Sequence, residues 1–195
     1  MEVRVATEED VEPVTRLLTD AFASDPLWSW AYPDRADLER WWRLHVRSAL
    51  RFPWTWVLGD YAAVALWIPP GESELTAGEE AGVESLVAEL AGSRAPEVLE
   101  LLDRFDAAHP ADGPPHYYLS LLGTDPARRG NGHGMALLEH NLARIDGEGM
   151  PAYLESSNPG NDPRYERRGF RRVGAFDRPD GQLTVATMWR DGGSA

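Results

Sequence analysis

The apolar positions run through the chain in two alternating rhythms. Val3 to Ala6 reads as a short strand. Thr7-Glu8-Glu9-Asp10 has the order of a capping box, with Thr7 as N-cap and Asp10 three residues on. From about Glu8 to Ala23 the residues Val11, Val14, Leu17, Leu18 and Phe22 recur at helical spacing, and Asp25-Pro26 ends the pattern. Pro33-Asp34 opens a second helix, about Asp34 to Leu50. Strands are predicted at 54–58 and 61–68, joined by the turn pair Gly59-Asp60 into a hairpin that Pro69-Pro70-Gly71 closes. Helical spacing returns from Glu79 to Ala108, broken near Gly92-Ser93 and Pro96, and residues 109–115 form a loop.

Beyond the loop the rhythm shortens. Tyr117 to Leu122 is a strand that Gly123-Thr124-Asp125-Pro126 is expected to break, and a helix from Met135 runs to about Gly147. Residues 151–156 form a short strand, 157–162 a turn, and Pro163 to Arg168 a brief helix with Pro at its first position. Strands at 170–176 and 183–189 follow, and the tail 191–195 is expected to fray. The order β-α-α-β-β-α(α)-β-α-β-α-β-β predicts one α/β (α+β) domain over 1–195, a single sheet covered by helices.

Composition narrows the picture. With 43% hydrophobic residues the chain has material for a core, and it has no Cys, which excludes disulfides, thiolate metal sites and a Cys nucleophile. No run approaches the roughly 20 apolar residues of a membrane span, and MEVRVATEED lacks a signal-peptide core, so a cytoplasmic protein is expected. A net charge of −13 argues against nucleic acid and anionic membranes as partners. All 19 basic residues are Arg. They crowd at Arg128-Arg129 and again from Arg164 to Arg172, a cationic region in an acidic protein that suits a specific anionic ligand. Residues 28 to 56 hold six of the eight Trp, which fit either interhelical packing or an aromatic wall for a substrate. The five His show no metal-ligand spacing, and no metal is expected.

The stretch that carries chemistry is His116 to Leu138, a strand, a basic glycine-rich loop and a helix N-terminus. Backbone N–H groups left without partners at a helix start, aided by the macrodipole, form a phosphate site. A Rossmann fingerprint needs a third Gly where Met135 stands, and a P-loop needs a Lys that the chain lacks. Arg129-x-x-Gly132-x-Gly134 resembles motif A of the GNAT superfamily of N-acetyltransferases. About 30 residues on, Asn158 and Tyr165-Glu166-Arg167-Arg168-Gly169-Phe170 resemble that family's N-x6-Y-E-x-x-G-F. The chain departs from the pattern at Thr124 (usually Val), His133 (usually apolar) and Arg168 (usually Leu).

The resemblance implies a mostly antiparallel GNAT sheet with a splayed strand pair, and acetyl-CoA as co-substrate. Its pyrophosphate would lie on the backbone of Gly130, Asn131, Gly132, His133, Gly134 and Met135, with Arg129 adding charge. The backbone of Leu122, Gly123 and Thr124 would pair with the pantetheine arm as an added strand would, and the Leu122 N–H would polarise the thioester carbonyl. Asn158 and Asn161 are further contacts or turn formers. Tyr165 is the candidate acid for the leaving thiolate. A phenol near pKa 10 can protonate a thiolate near 8.5 only with hydrogen-bond help or in a concerted step. Glu155, ending a strand at the expected gap, is the candidate base, acting directly or through water. The acceptor implied is the primary amine of a small cationic molecule. A protein or peptide acetyltransferase and a non-catalytic acyl-CoA sensor are the alternatives, and a homodimer is compatible with the sequence.

Overall fold

The computed structural model describes residues 1–110 and 113–193. Seven strands form one sheet: β1 (Val3–Val5), β2 (Thr55–Leu58), β3 (Ala63–Ile68), β4 (Tyr117–Thr124), β5 (Ala152–Ser156), β6 (Arg171–Asp177) and β7 (Thr184–Arg190). Their spatial order is β1-β2-β3-β4-β5-β7-β6, and every neighbouring pair is antiparallel except β4–β5. This is the mixed, mostly antiparallel sheet expected from the sequence.

Helices cover both faces. On one lie α1 (Val11–Phe22), the short α2 (Trp28–Ala31) and α3 (Arg35–Ala49). The same face carries the four-residue α4 (Ala77–Glu80) with α5 (Val83–Ala91) and α6 (Ala95–Ala108). Leu18, Trp41, Trp42, Val64, Leu66 and Leu101 are buried in the core of this face. On the other face α7 (His133–Gly147) seats Leu137, Leu138 and Ile145 against Ala65, Trp67 and Leu154. The last helix, α8 (Asp162–Glu166), leads into Gly169 at φ 86°, the reversal before β6. No helix among the described residues is long and apolar enough to cross a membrane.

Several boundaries differ from the sequence reading. β3, expected from Tyr61, begins at Ala63, so the Gly59-Asp60 turn pair is part of a four-residue connection, 59–62. Gly123-Thr124 does not break its strand; β4 runs through Thr124. A Cβ on Gly123 would stand 3.0 Å from the Cδ2 atoms of Leu17 and Leu18, so the glycine lets α1 lie close on the strand. The helix expected from Met135 begins two residues earlier, at His133. Trp28–Ala31 is an extra helical turn, whose Leu27 and Trp28 N–H groups donate to Asp25 Oδ1 at 3.0 and 3.2 Å. At the C-terminus the Gly193 N–H reaches Asp146 Oδ1 at 3.2 Å; Ser194 and Ala195 lie outside the described residues.

One polar cluster ties β1 to the rest. Arg4 donates to Asp10 Oδ2 and Oδ1 at 2.8 and 2.6 Å, Tyr61 Oη to Oδ1 at 2.5 Å, and the Thr7 N–H to Oδ2 at 2.8 Å. The Arg4 bond holds the Asp10 carboxyl far below the usual carboxylate range, against the opposing pull of burial. Asp10→Asn is expected to destabilise the protein at pH 7 by about 1–2 kcal/mol. The low end applies because the Arg4 side chain is 39% exposed and partly screened. A depressed carboxyl contributes stability above its unfolded pKa and loses it as pH falls. The gap between wild type and variant should therefore shrink below about pH 4, read from urea midpoints at pH 7 and pH 3.

Candidate active site

The sheet opens where the sequence placed its chemistry. β4 and β5 are registered only at Tyr117↔Ala152 and Tyr118↔Tyr153; beyond those pairs the strands part. One irregularity decides which backbone groups face the gap. Ser120 has no partner on β3, where the register slips between Leu66 and Trp67. Tyr117 donates its N–H towards β5, to Pro151 O at 2.9 Å, whereas Asp125 donates towards β3, to Ala62 O at 3.1 Å. Residues of an antiparallel pair alternate between edges. Counting back from Asp125, Gly123 and Leu121 face β3, and Leu122 and Thr124 turn N–H and C=O into the gap. Without the bulge at Ser120 that alternation would be inverted.

Below the gap the glycine loop leads into α7. Gly130 and Gly132 adopt φ of 84° and 77°, a region L side chains rarely enter, and Gly132 is the N-cap. The first-turn N–H groups have no carbonyl a turn earlier to accept them. Asn131 Nδ2 braces the loop through Arg128 O at 3.0 Å. Arg129, assigned to phosphate from the sequence, donates Nη2 to Ala21 O at 2.6 Å and so also ties the loop to the end of α1. Asn158 accepts from the Gly160 N–H at 3.0 Å and Asn161 from Arg164 at 3.0 Å, so both shape the turn after β5. Arg168 reaches α7, pairing with Glu139 at 2.6 Å.

Glu155 and Tyr165 line one large cleft of about 1160 Å³ on the α1/α3 face of the gap. The Glu155 side chain is only 3% exposed, with Oε1 3.8 Å from His109 Nδ1. Burial first, then the carboxylates of Asp25 and Asp162, push the Tyr165 phenol well above its ordinary value, so it stays protonated. Asp25 is itself buried, raised by desolvation, and accepts from Ser157 Oγ at 2.9 Å. The sequence marked Asp25 only as a helix stop; its place beside the site comes from the return of the 157–162 turn to the end of α1.

Burial divides the Trp-rich segment. Trp28, Trp41 and Trp42 pack in the core, Trp28 against Trp42 at 4.8 Å between centroids, and the same three residues line the cleft. Trp54 and Trp56 lie elsewhere, Trp56 beside His140 and Arg144 of α7. Packing and cleft lining therefore coexist in the first three and not in the hairpin pair.

The sequence profile of the acetyltransferase (GNAT) family matches residues 15–170, most of the chain and all of the cleft-forming elements up to α8. The chain belongs to that family. A relative in Schizosaccharomyces pombe, an uncharacterized N-acetyltransferase, is 32% identical over 120 residues. That match covers 58% of this chain and 49% of the relative, so this chain spans about half the length of the curated relative it matches. Among solved structures, the histone acetyltransferase HPA2 and related acetyltransferase from Corynebacterium glutamicum superimposes with a TM-score of 0.71 at 24% identity, covering 99% of this chain and 97% of that one. The polyamine N-acetyltransferase of Drosophila melanogaster gives 0.66 at 20% identity, covering 97% and 99%. Arylalkylamine N-acetyltransferase 2 from Aedes aegypti gives 0.71 at 14%, covering 97% and 98%. These likenesses establish the GNAT fold.

The GNAT loop has a steric signature that tests its use. A Cβ on Gly134 would lie 2.5 Å from Thr124 Oγ1, so the start of α7 presses directly on the end of β4. Gly134→Ala is expected to weaken CoA binding about tenfold by pushing these two elements apart. Thr124→Ala in the same chain should recover most of the loss, because it removes the opposing oxygen. Calorimetric titration of CoA into the single and double variants checks this.

Proposed function

We propose that this protein transfers the acetyl group of acetyl-CoA to the primary amine of a small cationic molecule. The observation that carries the reading is the charge of the cleft. Asp25, Glu72, Glu74, Glu80, Glu84, Asp103, Asp106 and Glu155 line it, and no Arg is among its described lining residues. Such a wall attracts an ammonium group and repels anions. Asp106 sits above the ordinary carboxylate range through burial and then the charges of Asp103 and Glu74, a repulsion that a bound cation relieves. The residues of the gap fit the donor: open first-turn amides on a loop whose glycines leave room, and an unpaired β4 edge at Leu122 and Thr124.

Acetyl-CoA supplies an acyl carbon activated as a thioester. The Leu122 N–H, facing the gap, is placed to polarise its carbonyl. Glu155 takes the proton of the incoming ammonium so that the amine can attack. Tyr165, held protonated, gives a proton to the departing sulfur and is reprotonated by the second proton that the amine nitrogen sheds as the amide forms. Within the family the chain resembles puromycin N-acetyltransferase in Arg4-Val5-Ala6-Thr7, in Leu154-Glu155-x-Ser157-x-Pro159-x-Asn161 and in the Tyr165 motif, which supports the class of chemistry more than the substrate.

The test is release of CoA thiol, followed with a thiol reagent over mono- and diamines, an aminonucleoside, peptides and no acceptor; the chain has no Cys to add background. Turnover with small cationic amines in preference to peptides supports the reading. Tight CoA binding with no acceptor-dependent release would replace it with the sensor, and turnover confined to peptides with the peptide acetyltransferase.

A further inference from the structure

The base proposed above must be emptied after each turnover, and two histidine rings lie in line beyond it. His109 lies at the C-terminal end of α6, where the helix macrodipole favours positive charge. Its Nδ1 faces Glu155 Oε1 at 3.8 Å, a span that a small side-chain rotation closes to hydrogen-bond distance. Its Nε2 lies 3.3 Å from His116 Nε2, and His116 Nδ1 lies 2.9 Å from Pro114 O. These partners fix the neutral tautomers. A carbonyl only accepts, so His116 carries its proton on Nδ1 and offers Nε2 as a lone pair. His109 must then donate from Nε2, which leaves its Nδ1 lone pair turned to Glu155.

We infer that His109 and His116 form a proton relay that carries the acceptor's proton from Glu155 to solvent. The inference rests on the acetyl-transfer reading above. The ammonium gives its proton to the Glu155 carboxylate, leaving a neutral amine and a carboxylic acid. The acid passes that proton to His109 Nδ1 and is a carboxylate again. His109 releases its Nε2 proton to His116 Nε2, His116 releases its Nδ1 proton to water as its bond to Pro114 O opens, and proton exchange with water returns both rings to their resting tautomers. One proton enters and one leaves, and no bond other than N–H and O–H changes. The surroundings suit the direction. The buried phenols of Tyr118 and Tyr153 flank Glu155 and His109 and are held protonated, so they do not compete as acceptors. Asp106, on α6, is the further carboxylate near the pair, raised mainly by burial and in part relieved by His109. Burial, more than the proximity of His109, lowers His116 below the ordinary His value, so it gives its proton up readily.

Two measurements test the relay. Long-range ¹H–¹⁵N correlation on the labelled free protein, with H109Q and H116Q for assignment, should find neutral His109 protonated on Nε2 and neutral His116 on Nδ1. In kinetics with the best amine, His109→Ala and His109→Gln should each lower kcat at least tenfold with the acceptor KM within about twofold, and His116→Ala should lower it less. Imidazole in solution should restore His109→Ala and not Glu155→Gln. A space-filling or hydrogen-bonding role predicts instead that His109→Gln keeps wild-type turnover and that imidazole does nothing. That result, or the opposite tautomers, overturns the relay. Should a His109 variant fail to melt as the wild type does, the more peripheral His116→Ala and its pH profile decide: a wild-type kcat and acid limb there overturn the proposal. Wild-type protein that acetylates no amine sinks the reading of the reaction, while the tautomer measurement reports on the pair independently.

Discussion

Glu155→Gln is expected to lower kcat for amine acetylation about a hundredfold at pH 7, within the range general-base catalysis supplies. The amide is nearly isosteric and sits at the end of β5 opposite Thr187, so the sheet should keep its register. What is lost is the buried carboxylate that meets the ammonium first; Tyr118 and Tyr153 beside it are protonated phenols and cannot take its place. The pH dependence gives the sign. An alkyl ammonium has a pKa near that of Lys, about 10.4. As pH rises, more of the acceptor arrives already neutral and needs no base. The deficit of Glu155→Gln should therefore narrow steadily from pH 7 to pH 9.5. A constant ratio of variant to wild-type kcat across that interval would show that Glu155 binds the acceptor without moving its proton.

Tyr165→Phe is expected to cost tenfold to a hundredfold in kcat with little change in the KM for acetyl-CoA. The ring keeps its place against Phe170, 6.1 Å between centroids, so the substitution removes a proton donor and little packing. The phenol is raised by burial, then by Asp25 and Asp162, which has two consequences. It remains a donor at every pH the protein would work at, so no alkaline limb below about pH 10 should belong to it. It is also too weak an acid to protonate a free thiolate outright, so proton transfer and carbon–sulfur cleavage should coincide. A donor thioester with a more acidic leaving thiol should therefore be less sensitive to the substitution. Steady-state rates with acetyl-CoA and with an activated aryl thioester, wild type against Tyr165→Phe, measure this.

The local structure of this candidate site was largely legible from local rules. The strand, the glycine loop and the helix start at residues 116–138 follow from β-propensity, glycine positions and apolar spacing over a few residues. The positive φ at Gly130 and Gly132 is what such glycines are for. The misread positions are those where a distant partner overrides the local signal. Gly123 looks like a strand breaker, yet it is the place where α1 presses on β4. Asp25 does follow the end of the first helix as expected, and what the sequence does not show is that its carboxylate caps α2 and holds Ser157 beside the cleft. His109 and His116, separated by a proline-rich stretch of sequence, give no sequence sign that their rings meet.

By itself the sequence determined the alternation of elements and the glycine loop with its family resemblance, and it singled out Glu155 and Tyr165 as candidates, because each depends on chemistry within one short segment. Only the tertiary structure decided how that chemistry faces. The unpaired Ser120 switches the edge to which Leu122 and Thr124 turn their backbone groups. The folding of α3 to α6 over the sheet gathers carboxylates from separate segments into one cleft wall. The end of α6 sets His109 against Glu155. These depend on register and on the meeting of remote side chains, which local propensity does not encode.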